Sequence, residues 1–181
     1  MRISLIIAGA MLALFQLSCA SMSKEECQMG NWSDYGHRDA TKGESADRFM
    51  THSEACMKHG ITGNKEQYMT GFTAGLKDFC TPDNAYQYGL NGGNYKNTCP
   101  PGMHTKFMTN YKKGKEIFDI NSSISTLERE IDGLSNSMVD PGLSSSQRTK
   151  AAFDLREKER RKSELEKRLL VIQLKEEMKK N

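Results

Sequence analysis

Apolar residues are scarce in this chain. Hydrophobic types make up 36% of its 181 residues and charged types 27%, less apolar material than one compact domain of that length uses, so part of the chain is expected to be extended or thinly packed. The net charge of +3 is small and spread over both signs, which gives no electrostatic case for nucleic acid. There is no Walker or dinucleotide fingerprint and no nucleophile-elbow pattern, and the 11 methionines lack the Met-x-Met clustering that soft-metal handling would use. No cofactor is expected.

No apolar run reaches the roughly 20 residues that a spanning helix needs. The run from Ile3 to Phe15 follows Arg2 and precedes small residues, which is the order of a secretory signal, so the chain is expected to be exported to a compartment that permits disulfides. Two cleavage sites compete. A cut after Ala20 uses Ser18 and Ala20 as its small residues and discards Cys19; a cut before Cys19 leaves that residue as a lipid-modified N-terminus. Leu17 and Ser18 suit the second pattern, while Gln16 stands where Leu is usual. A lipidated Cys19 followed by Ala20 and Ser21, with no Asp at the next position, resembles proteins sorted to the outer membrane and facing the periplasm. The alternative is a soluble periplasmic protein.

Either cut leaves Cys27, Cys56, Cys80 and Cys99, an even set that favours two disulfides. Three connectivities are open; we expect Cys27–Cys56 and Cys80–Cys99, the second pair resting on closeness in sequence. Each bridge would contribute about 2–4 kcal/mol.

Composition changes near residue 115, because from Glu116 onward there is no Cys, Tyr, Trp or His. The expected segments are a signal peptide at 1–18, a tether at 19–26, a disulfide-stabilised helical domain at 27–115 and a long helical hairpin tail at 116–181. The fold class is all-α. Within the domain, Ser45 is a candidate N-cap for a helix ending at Gly60, and Asn64 for one carrying Tyr68, Phe72, Leu76 and Phe79 at helical spacing. Gly71 and Gly75 on that second helix suggest tight backbone packing. An aromatic followed within a turn by glycine recurs loosely at Tyr68 and Gly71, Tyr88 and Gly89, Tyr111 and Gly114, with Trp32 and Gly36 as a further copy. The segment from Thr81 to Gly102 is dense in turn formers and reads as a disulfide-clamped loop with one helical turn.

In the tail, Ile117, Ile120, Ile124, Leu127, Ile131, Leu134 and Met138 alternate by three and four, the stripe of a coiled coil. Pro141 and Gly142 interrupt it before a second charged helix. Folding that helix back as an antiparallel hairpin would bring Phe153 toward Ile131, Leu165 toward Ile120 and Val171 toward Tyr111. The alternative is that the stripe binds a second copy, as a homo-oligomer, or another protein. From Gln147 to Asn181 there are 12 Lys or Arg against seven Asp or Glu, a basic balance that could touch anionic lipid but whose interleaved signs favour a solvated face.

Candidate chemistry is sparse. His52, Cys56 and His59 share a helical face, spacing that a metal could use, but the metal reading of His52 and His59 needs Cys56 as a free thiolate and conflicts with the even cysteine count. Asp34, Asp39, Asp47 and Glu54 are possible acids or bases, yet separation along a chain does not place carboxylates across a substrate. No catalytic residue is assigned. A pocket in the Tyr- and Gly-rich region 32–111 would draw on Trp32, Asp39, His52, Tyr68 and Tyr95, and a cleft with His52 or Asp39 converging on it would favour a small-ligand, glycan or peptidoglycan-directed module.

The ordered set NWSDYGHRDATKG, His52 and Cys56, YMTGFTAGLKDFC, YQYGLNGGNYKNTC and then Phe107, Tyr111 and Gly114 resembles the family of bacterial envelope lipoproteins catalogued as DUF2799, a domain of unknown function. The likeness covers roughly residues 27 to 118. It departs at Ala40, Phe79 and Ala85, where the family commonly has Gly, Tyr and Gly. The resemblance implies a Gram-negative envelope setting and lipidation of Cys19, and it carries over no catalytic residue. The expectation is a non-enzymatic, lipid-anchored envelope protein whose helical arm engages a protein partner or peptidoglycan.

Overall fold

A computed structural model describes residues 21–178, so the expected signal peptide and Cys19 lie outside the described residues. The described chain is all-helical, with seven helices: α1 (Lys24–Met29), α2 (Trp32–Thr41), α3 (Arg48–Met57), α4 (Lys65–Phe79), α5 (Pro82–Leu90), α6 (Pro101–Met138) and α7 (Ser145–Met178). It divides into two compact units between Lys77 and Asp78. The bridges are Cys27–Cys56 in the first unit and Cys80–Cys99 in the second, with Cα atoms 5.5 and 5.7 Å apart, the pairing expected from the sequence.

Local signals account for the helix starts. Ser23 and Glu26 close a capping box on α1, each accepting from the other's backbone N–H. The Asn64 side chain accepts from the Gln67 N–H at the head of α4, as expected. Ser45 sits ahead of the α3 terminus, its hydroxyl accepting from Asp47 N–H, and α3 begins only at Arg48. The stretch read as a clamped loop contains a nine-residue helix, α5: Thr81 caps it through Asn84 N–H and Pro82 occupies its first turn, where a missing N–H costs nothing. Of the turn formers that argued for a loop, Thr81, Pro82, Asp83 and Asn84 serve instead as the cap and first turn of α5, and the turn itself begins at Asn91, where the helix ends.

Counting from the cysteines shows an order that the loose aromatic and glycine pattern concealed. In each unit a Tyr-Gly pair follows the first cysteine by eight and nine positions, Tyr35-Gly36 and Tyr88-Gly89. In each, a tyrosine and a glycine follow the second cysteine by 12 and 15 positions, Tyr68 with Gly71 and Tyr111 with Gly114. The packing repeats with the spacing. A methyl group on Gly36 would fall on the Tyr68 carbonyl oxygen, and one on Gly71 on that of Ser33; correspondingly, a methyl on Gly89 would meet the Tyr111 carbonyl and one on Gly114 that of Tyr86. Each unit therefore holds one disulfide and one helix crossing, α2 over α4 or α5 over α6, with backbone against backbone. The chain carries an internal duplication.

Each crossing is flanked by aromatic rings. Phe49 lies 5.7 Å from Trp32 and 5.3 Å from Tyr68 in the first unit. In the second, Phe107 is 5.0 Å from Phe79 and 4.5 Å from Tyr95.

The compositional change at residue 115 falls inside α6, a single helix of 38 residues. Its Ile117, Ile120 and Leu127 are buried. Helix α7 buries no residue fully, but Leu155, Leu165, Leu169 and Ile172 are half-buried, and Lys158 and Lys162 hold the places between them. Those lysines reach α6: Lys158 pairs with Glu130 at 2.7 Å and Lys162 with Glu128 at 3.0 Å, while Arg168 pairs with Glu116 at 2.6 Å. Ion pairs thus replace apolar contact where the sequence offers none. Phe153, expected against Ile131, is instead 69% exposed, because the covered positions on its turn are Ala151, Ala152 and Leu155.

Gly114 and Gly133 sit on the same helix with opposite surroundings, since nothing lies within 4 Å of a methyl placed at Gly133. Gly114→Ala should cost about 1–3 kcal/mol through overpacking and lower the melting temperature by roughly 5 °C or more. Gly133→Ala should instead stabilise by up to about 1 kcal/mol through helix propensity. Thermal melts of the two variants check this; a rise for both would sink the crossing argument.

Candidate functional site

The first unit gathers four of the five ligand-binding candidates, Trp32, Asp39, His52 and Tyr68, around its core. Helix α2 ends with Asp39 turned inward, α3 brings His52 to it, and α4 brings Tyr68. His52 Nε2 lies 2.9 Å from Asp39 Oδ2, and the Tyr68 hydroxyl donates to the same oxygen at 2.8 Å. Asp39 is 8% exposed, His52 3% and Tyr68 not at all. Burial opposes ionisation of Asp39, yet hydrogen bonds from His52 and Tyr68 outweigh it and hold the carboxyl below its ordinary value. Burial first, and then the Asp39 carboxylate, push the Tyr68 hydroxyl far above its ordinary value.

These groups form a buried network that leaves one polar atom unpaired. With its proton on Nε2, His52 donates to Asp39 and presents a lone pair at Nδ1, which is buried with no hydrogen-bond partner. Trp32 is buried beside Phe49 and makes no part of the polar cluster. Tyr95 lies in the second unit, where its hydroxyl accepts from Cys99 N–H and meets His104 Nδ1 at 3.0 Å. The duplicated position clarifies what is special to the first unit: the Tyr111 hydroxyl, counterpart of Tyr68, donates to the backbone carbonyl of Gly93 rather than to a carboxylate.

The other candidates disperse. Asp34 accepts from the Asn31 side chain at the surface, Asp47 lies beside the Ser45 hydroxyl, and Glu54 is exposed. The metal face on α3 does not form, because Cys56 sulfur is bonded to Cys27, His52 faces Asp39, and α3 ends at Met57, leaving His59 exposed beyond it. No group of three or more metal-ligating side chains occurs among the described residues.

One open groove of about 920 Å³ marks the first unit, and sequence reading did not anticipate it. Its wall is built by Glu26, Tyr35 and Arg38, with the Arg38 guanidinium 4.2 Å from the centre of the Tyr35 ring. A hydrogen bond from Tyr35, followed by the Ser23 backbone, holds the Glu26 carboxyl low; burial and then Glu26 hold the Tyr35 hydroxyl high. Asp39 and His52 do not line this groove, so the geometry that would have favoured a small-ligand or glycan module is not met there. Counting from the cysteines would have paired Tyr35 with Tyr88, though nothing in the sequence joins Glu26 to Arg38.

Because the Asp39 carboxyl is depressed in the folded state, it contributes stability that is present above the ordinary carboxylate value of about 3.9 and lost as pH falls through the lower folded value. Asp39→Asn should cost about 1–3 kcal/mol at neutral pH and flatten the acid limb. Urea midpoints measured from pH 7 down to pH 2 check both; an unchanged acid limb would remove Asp39 from the account.

No curated protein and no solved structure matches the chain. Residues 31–116 match the family model described as Protein of unknown function (DUF2799), a span that runs from the start of α2 into the first half of α6 and holds both glycine crossings. Over residues 31–116, somewhat under half of its length, the chain is similar to this family.

Proposed function

We propose that this is a non-enzymatic, lipid-anchored protein of the bacterial cell envelope, held to the outer membrane through Cys19 and facing the periplasm. In this reading α6 and α7 form an antiparallel, coiled-coil-like arm that engages another envelope protein or the cell wall. The observation that carries it is the pair of disulfides tying both units, which suit an oxidising compartment and not the cytosol. The Arg2, apolar run and small-residue order of the first 20 residues supports export, and Leu17-Ser18-Cys19 supports lipid attachment. The arm is supported by the ion pairs Glu130 to Lys158 and Glu116 to Arg168, whose numbering falls on one helix as it rises on the other. A role other than catalysis is supported by the burial of Asp39, His52 and Tyr68, none of which lines the groove of the first unit.

Metabolic labelling with a fatty acid in the native host tests the anchor. The chain is expected to take up label and fractionate with outer membrane, and Cys19→Ser to lose both; equal labelling of the variant, or a wild-type chain free in the periplasm, overturns the reading.

A further inference from the structure

Helix α7 has a second face, and it is unlike the one that meets α6. Opposite the half-buried Leu165, Leu169 and Ile172 runs an exposed stripe at the same spacing of three and four. Its large apolar members are Phe153, Leu170, Val171, Leu174 and Met178, from 49 to 78% exposed. Between the first and the rest of these stand Arg156, Arg160 and Lys167, all exposed. One carboxylate falls on the stripe, Glu164, four residues after Arg160 and three before Lys167; Glu157 lies along one flank, and Glu159, Glu166 and Glu177 along the other. Arg160 pairs with Glu164 along the stripe, at 2.7 Å.

We propose that this outward face of α7 docks on an anionic lipid surface, its apolar turns entering the headgroup boundary and its three cations lying among acidic headgroups. The chemistry selects the occupant. A helix face that combines exposed Phe, Leu, Val and Met with Arg and Lys matches a charged bilayer interface, where apolar burial and electrostatic attraction act together. A nucleic acid would use the cations and leave the apolar band in water. A second copy of the same face brings three cations against one carboxylate, Glu164, which is already paired with Arg160, so self-association is electrostatically opposed. From Phe153 to Met178 the face spans about 38 Å at 1.5 Å per residue, so its contacts add along the helix. No helix among the described residues is long and apolar enough to cross a membrane, so the contact is one of lying on the surface. This goes beyond the lipid anchor and does not depend on it.

The test uses the whole chain carrying Cys19→Ser, so that failure of the anchor and failure of this face read separately. Leu174→Trp supplies a reporter on the face, against the buried Trp32 as baseline. Vesicles of phosphatidylglycerol with brominated acyl chains are expected to quench the reporter, and vesicles of brominated phosphatidylcholine are not. The combined variant Arg156→Gln, Arg160→Gln and Lys167→Gln should keep its circular dichroism and lose the quenching, with vesicle partitioning down on the order of a hundredfold. Quenching that ignores headgroup charge, or that survives neutralisation, overturns the proposal. So does a reporter unquenched by either vesicle, or one whose emission shifts without vesicles in a chain that sediments as a dimer.

Discussion

Two helix crossings with no side chain between them set the geometry of everything else in this chain. At each, a glycine on one helix faces the carbonyl oxygen of the other, and the relation is reciprocal: Gly36 with Tyr68 and Gly71 with Ser33, Gly89 with Tyr111 and Gly114 with Tyr86. Interiors are close-packed, so an approach this near leaves no room to substitute. The rings of Phe49 and Phe107 then fill what lies beside the crossings, and the disulfides close the chain around them. The small apolar content of the sequence is thus concentrated where backbone contact already does part of the packing.

Duplication followed by divergence explains the polar chemistry of the first unit. The tyrosine three residues before the second glycine sends its hydroxyl to the C-terminal end of the first crossing helix in both units, to Asp39 in the last turn of α2 and to Gly93 just past α5. In the second unit a backbone carbonyl receives it. In the first, Asp39 receives it and then needs a second donor, which α3 supplies as His52. An ionised carboxylate in a nearly dry site is stable only with such partners, so the pair is explained by burial without appeal to a reaction.

Much of this was legible in the residues, and the failures have physical causes. The Cys80–Cys99 pair, the α4 face with Tyr68, Phe72 and Leu76, and the stripe on α6 follow from spacing, while Cys27–Cys56 was one of the open connectivities and needed the fold. Helix α5 did not, because Gly92, Gly93 and the Asn residues around them announce a turn more loudly than Thr81 and Pro82 announce a cap. The repeat was hidden because the two cysteines of the first bridge are 29 residues apart and those of the second 19, which shifts every glycine out of a fixed period. Asp39, His52 and Tyr68 were each singled out, but only tertiary packing says that they meet, and that they meet in the core. Phe153 was assigned to the wrong side of α7 because a charged helix offers two stripes at the same spacing, and sequence does not say which one is covered.

Helix α6 links the packed unit to the arm without a joint. Between Lys115 and Asp132 there is neither glycine nor proline, so the helix that begins beside the Cys99 bridge continues unbroken through the Gly114 crossing to Leu127. A helix seated in a bare backbone groove at one end resists roll about its own axis, and that resistance is carried along its hydrogen bonds to the other end. Whatever grips the arm therefore takes hold of the second unit in a set orientation, like a key held by its shaft.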